Sequence, residues 1–254
     1  MRINGNTIFI PGATSGIGLA LAERLHAAGS TVIVGGRRQE LLDEIVARHP
    51  GMHAVRIDTT DVSSIDAAAK RVIARHPDLN VLVAMAGIMR SEDWRTPGFA
   101  GSAEQIVTTN LLGPIRLIDA FVAHLQTRPD ATIMTVSSGL AFTPLRTTPT
   151  YNATKAAIHM LSESLRLQLS DTSVRVLELV PPSVATDLMP GQRESSFAMP
   201  LDDFADEVMT ILREQPEATE LQVERVKLLR YGEARGDYAE VVRTLNAIDV
   251  ASAV

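Results

Sequence analysis

The apolar positions of this chain follow two rhythms. Short, nearly unbroken runs stand at Thr7–Ile10, Thr31–Val34, Ala54–Ile57, Val81–Ala84, Thr132–Val136, Val174–Leu179 and Glu220–Val223. Between them lie longer stretches with helical spacing, at 16–28, 38–48, 63–75, 101–126, 151–170 and 201–214. Unbroken runs predict strands buried on both faces, and the helical period predicts the helices that cover them. Regular strand–helix alternation predicts an α/β fold, a doubly wound parallel sheet of about seven strands within a single domain, 1–254. Two segments with Gly and Pro interrupt the pattern, "RSEDWRTPGFAG" at 90–101 and "TDLMPGQRESSFAMP" at 186–200. Each follows the carboxyl end of a predicted strand, where such sheets bind ligands. Both are expected as walls of a site, and 186–200 as its lid.

The turn after the first run is "PGATSGIG", with Gly12, Gly16 and Gly18 in a G-x-x-x-G-x-G spacing. In a Rossmann-type sheet the first strand-to-helix turn meets the pyrophosphate of a dinucleotide. Glycine permits the tight turn and the close backbone approach, and the helix start offers free N–H groups and partial positive charge. Taken alone, the turn also fits a tight connection with no ligand.

Composition narrows the class. The chain has 254 residues, 45% hydrophobic, with no cysteine and a net charge of −6. Absent cysteine excludes disulfides and thiolate metal sites and fits a reducing, cytoplasmic setting. An acidic balance with no long basic run argues against nucleic acid. The four-residue apolar patch before Pro11 is short for a signal segment, and no unbroken apolar stretch of about 18 residues suggests a membrane span. The six histidines show no H-E-x-x-H spacing and no clustering with carboxylates in sequence, so no metal site is expected.

A second constellation is "YNATK", which places Tyr151 and Lys155 at i and i+4 on one helix face. A free phenol has a pKa of about 10, and a nearby ammonium lowers it toward the range useful for proton transfer. Ser138, in "TVSSGLAF", stands at a strand's carboxyl end, and Asn110 interrupts the helical pattern "QIVTTNLLGPIRLIDAF" just before Gly113-Pro114. Each has a plainer reading: a surface pair, a turn serine, and a locally satisfied amide at a kink.

Together these features resemble the short-chain dehydrogenase/reductase family in its single-domain form, over nearly the whole chain. The glycine motif matches at Gly12, Thr14, Ser15, Gly16, Ile17 and Gly18, and the catalytic tetrad at Asn110, Ser138, Tyr151 and Lys155. The resemblance implies that Asp58, with Thr59, faces the adenine, that Ala86 and Gly87 approach the ribose, and that Val184 and Thr186 grip the nicotinamide end. It implies an oxidoreductase acting on a small carbonyl or alcohol, in which Tyr151 donates the proton. Lys155 would bind the ribose and depress the tyrosine pKa, Ser138 would hold the substrate oxygen, and Asn110 would hold a relay water. Family members are usually homodimers or homotetramers. "VPPSVATDL" and "ERVKLLR" resemble a branch of bacterial oxidoreductases named after a D-alanine-transfer operon. Departures are Pro11 for a Thr or Ser, Ala84-Met85-Ala86-Gly87 for Asn-Asn-Ala-Gly, and Pro182 for a common glycine. The first implies a loop held differently, the second a lost polar tie between strands.

NAD enzymes of this architecture place an acid about 20 residues beyond the glycine motif, on the ribose 2′-hydroxyl. Here Gly36 takes that place and Arg37 and Arg38 follow. Guanidinium groups suit phosphate, so NADP(H) is expected before NAD(H), with Arg37 as first contact, Arg38 assisting, and Gly36 leaving room. The substrate wall is expected from Met89, Leu140, Phe142, Leu145 and Met189. Two rival classes remain on sequence grounds. One is a non-catalytic regulator binding the nicotinamide cofactor on the same fold, which has no need of Tyr151 and Ser138 together. The other is a methyltransferase, which leaves the Tyr151–Lys155 pair unexplained.

Overall fold

Seven parallel strands are laid down in the order β3-β2-β1-β4-β5-β6-β7. They are β1 (Thr7–Pro11), β2 (Thr31–Gly36), β3 (His53–Arg56), β4 (Val81–Ala84), β5 (Ala131–Val136), β6 (Val174–Leu179) and β7 (Glu220–Leu221). In this computed structural model residues 1–251 are described, with side chains as far as Ala247. The fold is the expected Rossmann-type α/β sheet, and the strand bounds shift from the sequence pattern by at most two residues.

Alternating strand residues feed two separate cores. Ile8, Ile10, Val32, Val34, Val81 and Val83 face one core, with α1 (Gly16–Ala27), α2 (Gln39–Arg48) and, further along the chain, α7 (Leu201–Glu214) packed there. Phe9, Ile33, Leu82 and Ile133 face the other, covered by α3 (Val62–Arg75) and α5 (Gly113–Leu125). Phe9 and Phe121 meet there at 5.5 Å between ring centroids. Side-chain alternation on the pleat makes this division, and burial on both faces explains why the runs are mostly apolar. Before α5 comes α4 (Ala100–Val107), and after β5 comes the long helix α6 (Pro149–Gln168). The chain ends in α8 (Lys227–Arg230), α9 (Gly232–Arg235) and α10 (Tyr238–Ala251).

The helix expected at 101–126 is not one α-helix. A π-helical turn, Thr108–Leu112, separates α4 from α5. Pro114 has no N–H to return to the preceding turn, so the ladder shifts register there. The whole path Ala100–Leu125 is long and apolar enough to cross a membrane by length and composition. Yet Ile106, Leu117, Phe121 and Leu125 are buried in this domain, and Glu104, Arg116 and Asp119 interrupt the path.

The polar tie missing after β4 is replaced at the strands' amino ends. Asn80 accepts from Thr7 N–H at 2.9 Å and donates to Asn6 Oδ1 at 3.0 Å and Asp130 O at 2.9 Å. That joins β1, β4 and β5 with one amide. The C-terminal helix α10 is tied to the segment before α6 through Asn246. Asn246 accepts from Arg146 N–H at 2.7 Å and donates to Pro144 O at 3.0 Å.

Candidate active site

Strand order reverses between β1 and β4, so the loops after them border one crevice. Pro11 brings no N–H, and the next two amides take over. Gly12 and Ala13 both donate to Gly35 O, at 2.8 and 3.2 Å. Gly12 has φ +93°, and a Cβ there would stand 2.7 Å from the N and Cα of Ala86. The loop backbone therefore rests directly on the backbone after β4. A Cβ on Gly18 would lie 2.6 Å from Gly12 O and 3.0 Å from Met85 Cγ. Met85 thus fills with an apolar contact what the family fills with an amide. Ser15 stands at the start of α1 without capping it through its side chain, and no acid occupies the first turn, Gly16 to Gly18. The free N–H groups there fit an anion such as a pyrophosphate.

At the far end of β2 the expectation of open space above Gly36 is corrected. A Cβ on Gly36 would meet Thr14 Cγ2 at 2.4 Å, so the Thr14 methyl covers it. Arg38, not Arg37, touches the loop, donating to Thr14 Oγ1 at 3.3 Å. Arg56, which sequence reasoning missed, donates to Arg37 O at 3.3 Å and adds a third cation at the end of the adjacent strand. Asp58 accepts from Thr60 N–H and Oγ1 at 2.9 and 2.7 Å. Burial works to raise its pKa, but those donors and the Arg37 charge prevail and hold it below the usual range. Thr59 is buried, its carbonyl lying 3.1 Å from where a Gly113 Cβ would stand.

Across the crevice the site is built from side chains. Ser138 begins a short 3-10 turn (Gly139–Ala141) and accepts from Leu140 N–H at 3.1 Å. Tyr151 and Lys155 project from the first turns of α6, which opens on Pro149, a residue suited to a helix start. Glu92, from the segment after β4, caps that start, accepting from Thr150 N–H at 3.0 Å. Ser138, Tyr151 and Lys155 are 7%, 6% and 5% exposed, so their polar ends act in a low dielectric. Burial pushes the Tyr151 phenol up to about 12, while the Ser138 hydroxyl beside it pulls the other way. Burial draws the Lys155 ammonium down to about 8. Lys155 Nζ donates to Val136 O at 2.8 Å and stands 5.4 Å from the Tyr151 ring centroid. With three N–H donors and one protein acceptor found among the described residues, the ammonium can serve a further hydroxyl.

Asn110 lies in the π-helical turn and is 1% exposed. Its Oδ1 accepts from Ile88 N–H and its Nδ2 donates to Ile88 O, both at 2.8 Å. The amide thus clamps the backbone just after Ala86 and Gly87. A Cβ on Gly87 would stand 3.5 Å from Asn110 Oδ1 and 3.8 Å from Lys155 Nζ, so both side chains border this glycine.

Val184 and Thr186 follow β6. Thr186 Cγ2 comes within 3.4 Å of a Cβ position on Gly16, which joins this segment to the glycine loop. The segment 186–200 folds back on its own base. Ala185 N–H donates to Met199 O and Met199 N–H to Ser183 O, each at 2.8 Å, and Gln192 donates to Val184 O at 2.7 Å. Met89, Leu140, Phe142, Leu145 and Met189 are all half-buried, and Phe142 packs against the core, His159 and the Arg230 guanidinium.

One reading is overturned among the histidines. His159 does meet carboxylates: its Nδ1 lies 3.0 to 3.1 Å from both oxygens of Glu178, and Glu220 falls within the same group. Those carboxylates already have partners. Arg230 pairs with Glu220 through two contacts of 3.0 Å, and Arg166 reaches Glu178 at 3.5 Å. Two guanidinium groups balance two carboxylates without a metal. The only sequence signal was an acid in the otherwise apolar run "VLELV".

The site and fold define a nucleotide-binding oxidoreductase scaffold, and the comparisons specify it. Residues 6–196 match the short chain dehydrogenase family, and the chain belongs to that family. It is 36% identical over 255 residues to the uncharacterized oxidoreductase DltE of Bacillus subtilis (strain 168), covering 97% of this chain and 98% of that protein. It is thus a member of the DltE-like branch. Its fold superimposes on a short chain dehydrogenase from Burkholderia cenocepacia J2315 in complex with NADP, at TM-score 0.83 and 26% identity over 96% of this chain and 98% of that one. It also shares the fold of a 3-ketoacyl-(acyl-carrier-protein) reductase from Brucella melitensis complexed with NADH, at TM-score 0.79 and 23% identity over 87% and 98% of the two chains.

Proposed function

We propose that the chain is an NADP(H)-dependent oxidoreductase that interconverts a carbonyl compound and a secondary alcohol. The observation that carries the reading is the buried meeting of Ser138, Tyr151 and Lys155 beside a helix start with free N–H groups. Gly12 to Gly18 would hold the pyrophosphate, Arg37 and Arg38 a ribose phosphate, Asp58 and Thr59 the adenine side, and Lys155, Val184 and Thr186 the nicotinamide side. When bound, the nicotinamide supplies or accepts the hydride.

The chain's own residues supply position and a proton. Ser138 hydrogen-bonds the substrate oxygen, and Tyr151 donates its phenolic proton to that oxygen during reduction. A phenol at about 12 is too weak an acid for this near neutrality. The Lys155 ammonium, 5.4 Å from the phenol ring centroid, works against the burial by favouring the phenolate. Asn110 fixes the backbone beside Lys155, and the water joining Lys155 to solvent belongs to the same proposal.

Segment 186–200 serves as the substrate lid. The partner set is a small carbonyl or alcohol, with neither nucleic acid nor membrane. Exposed Ile115, Met160 and Leu167 on α5 and α6 support a homodimer or homotetramer. A cytoplasmic location, supported by the cysteine-free chain, completes the reading.

The test is a panel of ketones, aldehydes and secondary alcohols with both cofactors, followed by absorbance of the reduced nicotinamide. Turnover with the phosphorylated cofactor preferred is the expected result. Tight cofactor binding with no turnover across the panel would favour a redox-sensing regulator.

A further inference from the structure

Glu178 is the penultimate residue of β6 and is fully buried. A carboxylate in such a place is destabilising unless charged and hydrogen-bonding partners surround it, and an apolar residue of like volume often serves the fold as well. What this carboxylate joins is therefore informative. Its Oε1 accepts from Ser137 Oγ, and Ser137 immediately precedes Ser138. Both oxygens face His159 Nδ1 at 3.0 to 3.1 Å. His159 follows Lys155 by four residues and Tyr151 by eight, so all three lie along one side of α6. His159 also meets Phe142 at 4.6 Å between ring centroids, and Phe142 lies four residues beyond Ser138.

We propose that Glu178 is a positioning residue whose carboxylate braces the strand end bearing Ser138 against the helix bearing Tyr151 and Lys155. The proposal rests on the roles given to Ser138 and Tyr151 above. Ser137 and Ser138 are adjacent in sequence yet differ in function: the first is bound into the brace, and the second faces the phenol. The brace fixes the separation of two hydroxyls that must hold one substrate oxygen between them, and misplacement by about 1 Å lowers such a rate by up to ~10²-fold.

The experiment compares wild type, Glu178→Gln and Ser137→Ala, with Arg166→Gln as a control on the far side of the same carboxylate. Each is read for thermal midpoint, kcat per folded enzyme, cofactor Kd by reduced-cofactor fluorescence, and the isotope effect with 4-deuterated cofactor. Glu178→Gln should lower kcat by about tenfold or more and raise the isotope effect, with cofactor Kd unchanged within about twofold. Ser137→Ala should show the same pattern at smaller size, and Arg166→Gln should lower the midpoint while sparing kcat. If Glu178→Gln does not fold, Ser137→Ala decides. Unchanged kcat per folded enzyme in these two variants would overturn the proposal and leave Glu178 a fold element only. If wild type turns over no carbonyl, the catalytic reading fails separately. The brace is then judged by the Ser138 Oγ to Tyr151 Oη distance in crystals of wild type and Ser137→Ala: lengthening supports it, and an unchanged distance overturns it.

Discussion

The two sides of the crevice are built on opposite plans. Around Gly12–Gly18 and Ala84–Gly87 the chain presents backbone, so close-packed that a Cβ on Gly12 or Gly18 has no room. Around β5, β6 and α6 it presents buried polar side chains: Ser137, Ser138, Tyr151, Lys155 and Glu178. The first side fails when atoms are added and the second when they are removed. A surface that follows a long, invariant ligand can be made of backbone. A site that moves a proton needs groups whose ionisation the surroundings tune.

Tyr151→Phe should show the contrast most strongly. Turnover should fall by ~10²- to 10⁴-fold with cofactor affinity unchanged. Steady-state kinetics and a fluorescence titration of the reduced cofactor check both halves, and full activity would remove Tyr151 from its role.

Gly12→Val tests the opposite plan. It adds atoms 2.7 Å from the Ala86 backbone at a position with φ +93°. Such strain is worth ~1–3 kcal/mol before the clash is counted. Loss of thermal stability and of cofactor affinity together is expected, whereas a variant that binds cofactor normally would mean that the loop and the β4 end move apart freely.

Asn110→Leu removes the clamp on Ile88 and leaves its half-buried N–H and C=O without that partner, together worth on the order of 1–3 kcal/mol. The midpoint should drop by roughly 2–4 °C per kcal/mol in a chain of this size, and turnover should fall with it. Lost turnover at an unchanged midpoint would point instead to the relay water.

Lys155→Met separates stability from activity. Burial holds the ammonium at about 8 against an ordinary 10.5. Below pH 8 the group is charged folded and unfolded, so its desolvation cost is fully present. As pH rises toward 10.5 the folded protein has already released the proton, and the cost fades. The variant should therefore melt higher than wild type at pH 7, by an amount that shrinks toward pH 10, with turnover lost. Wild-type carbonyl reduction should likewise decline above about pH 8, as the charge that assists Tyr151 disappears.

The smallest effect is expected at the ribose end. Arg38→Ala and Arg37→Ala should each weaken the preference for the phosphorylated cofactor by about 5- to 10-fold, the scale of one or two charge-assisted contacts near solvent. Gly36→Asp should shift preference toward NAD(H) only when Thr14 is also reduced to Gly, because the Thr14 methyl stands 2.4 Å from the new Cβ. Ratios of kcat/KM for the two cofactors measure all three.

The sequence by itself determined the strands, the glycine turn and the Tyr151–Lys155 face, because each is local. Unbroken apolar runs report burial on two sides, glycine reports a backbone need, and i, i+4 spacing reports a shared helical side. It also marked Asn110 as unusual before Gly113-Pro114, but not what that amide grips. Only the tertiary structure decided that Asn110 clamps Ile88, that Thr14 covers Gly36, that Arg38 rather than Arg37 reaches the loop, and that Glu178 meets both Ser137 and His159. Each of these contacts joins residues 19 to 41 positions apart, across different elements. Periodicity along the chain says which side of an element is buried. Which buried groups meet is set by the order of strands in the sheet, and that order brings β5, β6 and α6 together behind one serine.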